Sequence, residues 1–223
     1  MFWVFSTLIA TIASGLLAVG VKFSEYYYNY TSTSSAILFF TSIFFIIYSL
    51  ILKHKFQFNY FSSIAGLFFG SMMYFLFKSI ATMSNPGIVM ALIRTQVVLT
   101  LIAGLFIFKY KLNIVKILSI LVLLGGAFMM VLFDKNKNKD KKCKSKKWII
   151  YIILAIILYS GYDVTTKLAV QKIDTHNHTL IAIVFAFIIA FLLELGVDKK
   201  IGLIDDKVFS KKDEKYRKYH IIS

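Results

Sequence analysis

Ile88-Val89-Met90-Ala91-Leu92-Ile93-Arg94-Thr95-Gln96-Val97-Val98-Leu99-Thr100-Leu101-Ile102-Ala103-Gly104-Leu105-Phe106-Ile107-Phe108 is an almost wholly apolar stretch with one charge inside it, Arg94. A helix needs about 20 such residues to cross the hydrocarbon core of a bilayer. Six further runs have comparable character: Phe2–Val21, Ser35–Leu52, Phe61–Phe77, Ile114–Phe133, Trp148–Val170 and Thr179–Leu195. The runs are continuous and lack two-residue alternation. That favours helices over barrel strands, because a lone helix satisfies its own backbone hydrogen bonds in lipid. The expected fold is all-α: a polytopic transmembrane bundle of about seven spans.

Composition agrees. Hydrophobic residues make up 58% of the chain and charged residues 17%, with mean hydropathy +0.73, against roughly 45–50% and about 25% in soluble domains. The charges are also segregated. Asp134–Lys147 holds eight lysines against two aspartates, and Asp198–Ser223 holds eight Lys/Arg against five acids. The expected organisation is a five-helix membrane unit over 1–133, a lysine-rich linker over 134–147, two further helices over 148–197 and a polar basic tail over 198–223.

Lys plus Arg outnumber Asp plus Glu by 26 to 11, a net charge of +15. The excess flanks the spans, where it sets orientation and attracts anionic lipid headgroups, above all along the Lys135–Lys147 linker. The lipid bilayer is therefore the expected partner, and nucleic acid is not. The single cysteine, Cys143, excludes an intramolecular disulfide. Met1-Phe2-Trp3-Val4-Phe5 lacks the positive region of a cleavable signal peptide, so the first run is expected to remain.

Connections between runs are short, and Asn85-Pro86-Gly87 suits a turn followed by a helix start, with Asn as cap and Pro in the first turn. Small residues recur within the spans. Ser14, Gly15, Gly66, Gly70, Gly104, Gly125 and Gly126 are candidates for close helix approach, and Gly66/Gly70 form a small-xxx-small face.

A second start recurs along the chain. Trp3 and Lys22 bracket the first run and Trp148 and Lys167 the sixth, at the same 19-residue spacing. A repeat unit of five helices is odd in number, so the second unit enters the membrane from the opposite side. This is the inverted-repeat architecture of many secondary transporters.

Asn85-Pro86-Gly87, the run Ile88–Phe108, the short basic turn, and a following helix carrying Leu124-Gly125-Gly126-Ala127 together resemble the drug/metabolite transporter superfamily, EamA type. The resemblance implies ten helices in two inverted five-helix repeats around a central substrate cavity. It implies transport of a small organic solute by alternating access. It covers the first repeat and the start of the second, through Leu195, so the second repeat is expected to be incomplete. Gln96-Val97 and Lys109-Tyr110 stand near the places where the family often has a proline and an acid.

Orientation is contested within the sequence. The resemblance implies a cytoplasmic N-terminus. The positive-inside rule favours the reverse, since Lys22, Lys78, the linker and the tail then share the cytoplasmic side. The sequons Asn29-Tyr30-Thr31 and Asn177-His178-Thr179 fall on opposite sides either way, which marks them as chance matches.

Arg94 is the sharpest site candidate. An arginine at mid-membrane costs roughly 2.5–3.5 kcal/mol on insertion scales and so usually faces a cavity or a partner. It suits an anionic or carboxylate-bearing solute. Asp163 and Lys167, four apart on one helix face, are expected either to pair or to serve the cavity. Tyr159 and Tyr162 would add hydroxyls to a substrate site. Gln96 and Thr100 share a face of the fourth run and suit helix–helix hydrogen bonding or the site itself. Lys78 and Glu194 are expected at the membrane interface.

His54, His176, His178 and His220 do not form a metal-ligating pattern, and no phosphate loop, nucleophile elbow or paired catalytic carboxylates occur. The expectation is a non-enzymatic membrane protein without cofactor or metal. Two alternatives stay open: a seven-helix receptor or scaffold, and a non-functional remnant of a ten-helix transporter. Self-association as a homodimer is also left open.

Overall fold

A computed structural model of the chain describes residues 30–53, 55–82, 86–109, 113–132 and 147–198, together with Leu16. Every regular element among the described residues is helical: α1 Tyr30–Ile51, α2 Tyr60–Thr82, α3 Pro86–Ile93, α4 Gln96–Phe108, α5 Ile114–Leu132, α6 Lys147–Val170, α7 Thr175–Leu193, and a π-helical turn Glu194–Asp198. Five helical stretches are long and apolar enough to cross a membrane: Thr33–Ile51, Tyr60–Thr82, Pro86–Phe108, Lys147–Val170 and Thr175–Val197. Ile114–Met129 is a shorter apolar helix. The expected first span, the linker with Cys143 and the tail lie outside the described residues, apart from helical Leu16, the helix-forming Lys147 and Asp198.

Helix ends follow local chemistry more than hydropathy. α7 begins at Thr175, four residues before the apolar run, because Asp174 is an N-cap whose side chain accepts from the Asn177 N–H at 3.0 Å. The Asn59 side chain accepts from the Phe61 N–H at 2.8 Å at the start of α2. α2 continues past Phe77 to Thr82 because Lys78 does not interrupt it. Its ammonium donates to the Tyr74 hydroxyl at 2.9 Å and lies 5.0 Å from the Tyr74 ring centroid and 5.5 Å from that of Tyr151. Lys78, half-buried one turn before the end of α2, is thus held against two aromatic rings.

α2 is the central helix. It runs antiparallel to α6, as shown by the Ser79 hydroxyl donating to the Trp148 carbonyl at 3.2 Å and by Phe69 meeting Tyr162 at 4.9 Å. It runs parallel to α7, with Ser62 beside His178, Gly66 against Ala182 and Gly70 against Ala186. A Cβ built on Gly66 or Gly70 would overlap the carbonyl oxygen of Ala182 or Ala186 respectively. Those two glycines therefore set the interhelical distance. α1 lies antiparallel on α7, with Ser42 reaching the Ile183 carbonyl at 3.3 Å. α4 lies along α6. The ends of α2 and α7, and the starts of α1 and α6, consequently share one side of the bundle.

The core gathers Met72, Phe77, Ile80, Ile88, Val89, Ile93, Ile152 and the alanines of α7, while most large side chains of α5 and many on α1 and α4 point outward. A soluble domain would bury such faces; a membrane helix leaves them for lipid.

Two polar side chains are buried between helices. Glu194 is buried (2% exposed), and the Ser35 hydroxyl donates to its carboxylate, so it is part of the α1–α7 packing. Asn177 is also buried (2% exposed). Its Nδ2 donates to the Lys55 carbonyl at 3.0 Å and its Oδ1 accepts from the Gln57 N–H at 3.3 Å. That side chain clamps the α1–α2 connection to α7 and has no room for a glycan.

Candidate functional site

The long run Ile88–Phe108 folds as two helices. Between them Arg94 and Thr95 form a tightened turn, with Thr95 N–H bonding to the Leu92 carbonyl and Val98 N–H to the Thr95 carbonyl, each at 3.0 Å. Thr95 supplies the cause. Its hydroxyl also donates to the Leu92 carbonyl, at 2.7 Å, and draws that acceptor out of the regular four-residue ladder. A broken helix in the middle of a candidate span thus falls at the one residue that carries a charge there.

The break positions three side chains toward α6. Arg94 reaches the hydroxyl of Tyr159. Thr100, one turn beyond Gln96, donates to Asp163 Oδ2 at 3.0 Å. Gln96 approaches the same carboxylate. Because a carboxylate only accepts, the amide nitrogen of Gln96 must face it. The carbonyl oxygen of Gln96 is then left enclosed with no partner among the described residues, in a side chain only 5% exposed. Tyr159 and Asp163 are four apart and share a face of α6. Tyr162 stacks near Tyr159, with ring centroids 6.0 Å apart, and backs onto Phe69 of α2. Gly161 lets α6 close onto α2, since a Cβ there would stand 3.2 Å from the Phe68 ring.

Five of the six residues singled out from the sequence therefore meet in one place: Arg94, Gln96, Tyr159, Tyr162 and Asp163. Lys167 goes elsewhere. Its ammonium lies 4.4 Å from the Phe108 ring centroid, at the end of α4. Asp163 is held across helices, where Thr100 and Gln96 bring donors to the carboxylate. Thr100, expected to suit helix–helix hydrogen bonding, is the contact that joins the two helices here. The arrangement offers a cation, a carboxylate, two phenol hydroxyls and an unfilled amide acceptor within a few helical turns.

A second polar group lies at the start of α7. Buried His178 bonds Ser62 through Nδ1 at 3.0 Å, and His176 packs its ring against Tyr48 at 5.5 Å. Sequence reading treated these histidines only as a failed metal pattern. The alignment of Ser62-xxx-Gly66-xxx-Gly70 with His178-xxx-Ala182-xxx-Ala186 was available as a signal that they face a helix seam.

The fold and site define the class: the described residues are helical in every regular element, with five helices among them long and apolar enough to cross a membrane and a polar cluster at a break in one of them. No family model, curated protein or solved structure matches the chain.

Proposed function

We propose that the chain is a multi-pass integral membrane protein that moves a small organic solute across the bilayer by alternating access. Arg94, Gln96, Tyr159, Tyr162 and Asp163 form the solute site. The observation that carries this reading is the Thr100–Asp163 contact just beyond the α3–α4 break, with Arg94 in the break and an unfilled buried acceptor on Gln96 between them. Charged side chains inside spans are expensive and mark solute or ion pathways, and transporters build their sites at discontinuous helices. The inverted-repeat, EamA-like organisation belongs to the same proposal. It gains support from the direct antiparallel contact of α1 and α7, which a five-helix repeat would relate to one another.

The site is tested by binding, ahead of any transport assay. Purified protein is heated in detergent against a panel of organic anions, cations and zwitterions. At least one class raises the unfolding temperature of the wild type and fails to do so for Arg94→Ala. A panel without effect, or one whose effect survives Arg94→Ala and Asp163→Asn alike, overturns the assignment.

A further inference from the structure

The parallel seam between α2 and α7 is as tight as two helices allow at Gly66/Ala182 and Gly70/Ala186. One turn earlier in the same register the small pair is replaced by Ser62 and His178. His178 is 3% exposed. Its Nδ1 lies 3.0 Å from Ser62 Oγ, and its Nε2 is enclosed with no partner among the described residues. Neither tautomer completes this ring. If Ser62 donates to Nδ1, an Nε2–H is buried without an acceptor; if Nδ1–H donates to Ser62, an Nε2 lone pair is buried without a donor. Ser63 Oγ, on the next residue of α2, is likewise buried and unfilled.

We propose that His178 is a proton-binding site that controls the α2–α7 seam: neutral when the seam is closed, and protonated when this end of the two helices separates. The inference stands apart from the solute reading. An imidazolium has two N–H donors, and the closed seam provides an acceptor for one of them only. Among the described residues it also provides no free anion. On α7 itself, Asp174 is committed to Asn177, whose N–H and Nδ2 both donate to it. His176 packs against Tyr48 and Phe45 of α1. From α2 the ring meets the neutral Ser62. Tyr60 and Phe61, at the start of that helix, lie under the Lys172 ammonium, which is 4.6 Å from the Phe61 centroid. Lys55 touches α7 through its backbone carbonyl. On α6, Lys167 lies over Phe108 and Asp163 bonds Thr100. A proton on His178 is therefore accommodated only if water reaches Nε2. Water reaches it only if the helix starts separate and loosen the clamp that Asn177 makes on the α1–α2 connection. Histidine is the side chain whose ordinary titration lies in the physiological range, so the seam closes at higher pH and opens as pH falls.

The test uses the full chain in lipid nanodiscs, with Cys143→Ser removing the native thiol and spin labels at Lys55→Cys and Thr175→Cys, both exposed positions astride the clamp. At pH 8 one short distance is expected; at pH 5 a second, longer population appears. His178→Gln, which keeps a hydrogen bond to Ser62 but cannot take up the proton, abolishes the longer population, and His176→Gln retains it. Nitrogen NMR of the unlabelled wild-type protein provides a readout that needs no substitution at His178: its ring is expected to protonate over the same pH interval in which the distance changes. A His178 ring that stays neutral to pH 5 overturns the proposal. So does a pH response unchanged in His178→Gln, or a single distance at both pH values.

Discussion

Thr100 Oγ1 donates to Asp163 Oδ2 at 3.0 Å and ties α4 to α6 just beyond the break at Arg94. A hydroxyl–carboxylate bond across two helices holds the acid in place beside Tyr159. Thr100→Val, which keeps the shape and removes the donor, should cost about 1 kcal/mol, the usual scale for a bond between membrane helices. Thr100→Ser should cost less. Equilibrium unfolding in mixed micelles measures both, and equal stability of Thr100→Val and wild type would mean that the bond contributes nothing.

The glycines divide into two kinds. At Gly70 a Cβ would overlap the Ala186 carbonyl, whereas at Gly125 and Gly126 it would meet nothing within 4 Å. Gly70→Ala should therefore destabilise by about 1–3 kcal/mol, the scale of overpacking a tight contact. Gly125→Ala and Gly126→Ala should lie within about 0.5 kcal/mol of wild type, as substitutions away from packed contacts do. Thermal unfolding of the three variants side by side makes the comparison, and equal losses at Gly70 and Gly125 would contradict the seam.

Asp174 lies outside the apolar span, and the Asn177 backbone N–H and side chain hold its carboxyl below the ordinary carboxylate value. A folded-state value below the unfolded one stabilises above the unfolded pKa, and the contribution is lost as pH falls through the folded value. Asp174→Asn, also a good cap, should be somewhat less stable than wild type at pH 7 and should match it only at a pH below the depressed folded value, well under pH 4. Asp174→Ala should lose about 1 kcal/mol at pH 7, the usual worth of an N-cap. The pH dependence of the unfolding midpoint between pH 3 and pH 7 reads this directly. A wild-type slope that persists unchanged in Asp174→Asn would assign it to another group.

The starts of α1 and α6 share one side with the ends of α2 and α7, as the Ser79–Trp148 and Ser35–Glu194 contacts require. The linker after α5 and the tail after Asp198 are then expected on the same side. An impermeant thiol reagent applied to sealed proteoliposomes should label Cys143, and a cysteine placed at Lys199 in a Cys143→Ser background, in equal proportion. Opposite labelling would break the proposed crossing pattern.

Much of this architecture was legible because lipid-facing helices advertise themselves by continuous apolar runs. The described helices overlap the runs starting at Ser35, Phe61, Ile88, Ile114, Trp148 and Thr179. Hydropathy cannot see caps or local side-chain bonds, so the early start of α7 at Asp174 and the extension of α2 past Lys78 were missed. The break at Arg94 was hidden for the same reason, since it depends on where the Thr95 hydroxyl goes. Arg94, Tyr159 and Asp163 stood out as costly polar residues in apolar surroundings, and they do meet. Lys167 stood out equally and does not, because spacing along one helix says nothing about which neighbouring helix brings a better partner. Glu194 and His178 were undervalued because burial between helices depends on pairing that one sequence does not display.

The most direct test of the central claim is solute movement itself. Proteoliposomes holding wild type, Arg94→Ala or Asp163→Asn, matched for inserted protein, are loaded with a defined mixture of organic anions, cations and zwitterions, and the efflux of each is followed by mass spectrometry. The account predicts that at least one class leaves the wild-type vesicles faster than protein-free vesicles, and that both variants lose at least tenfold of that rate while remaining folded. Wild-type efflux no faster than protein-free leakage for every class, or an unchanged rate in both variants, would contradict it.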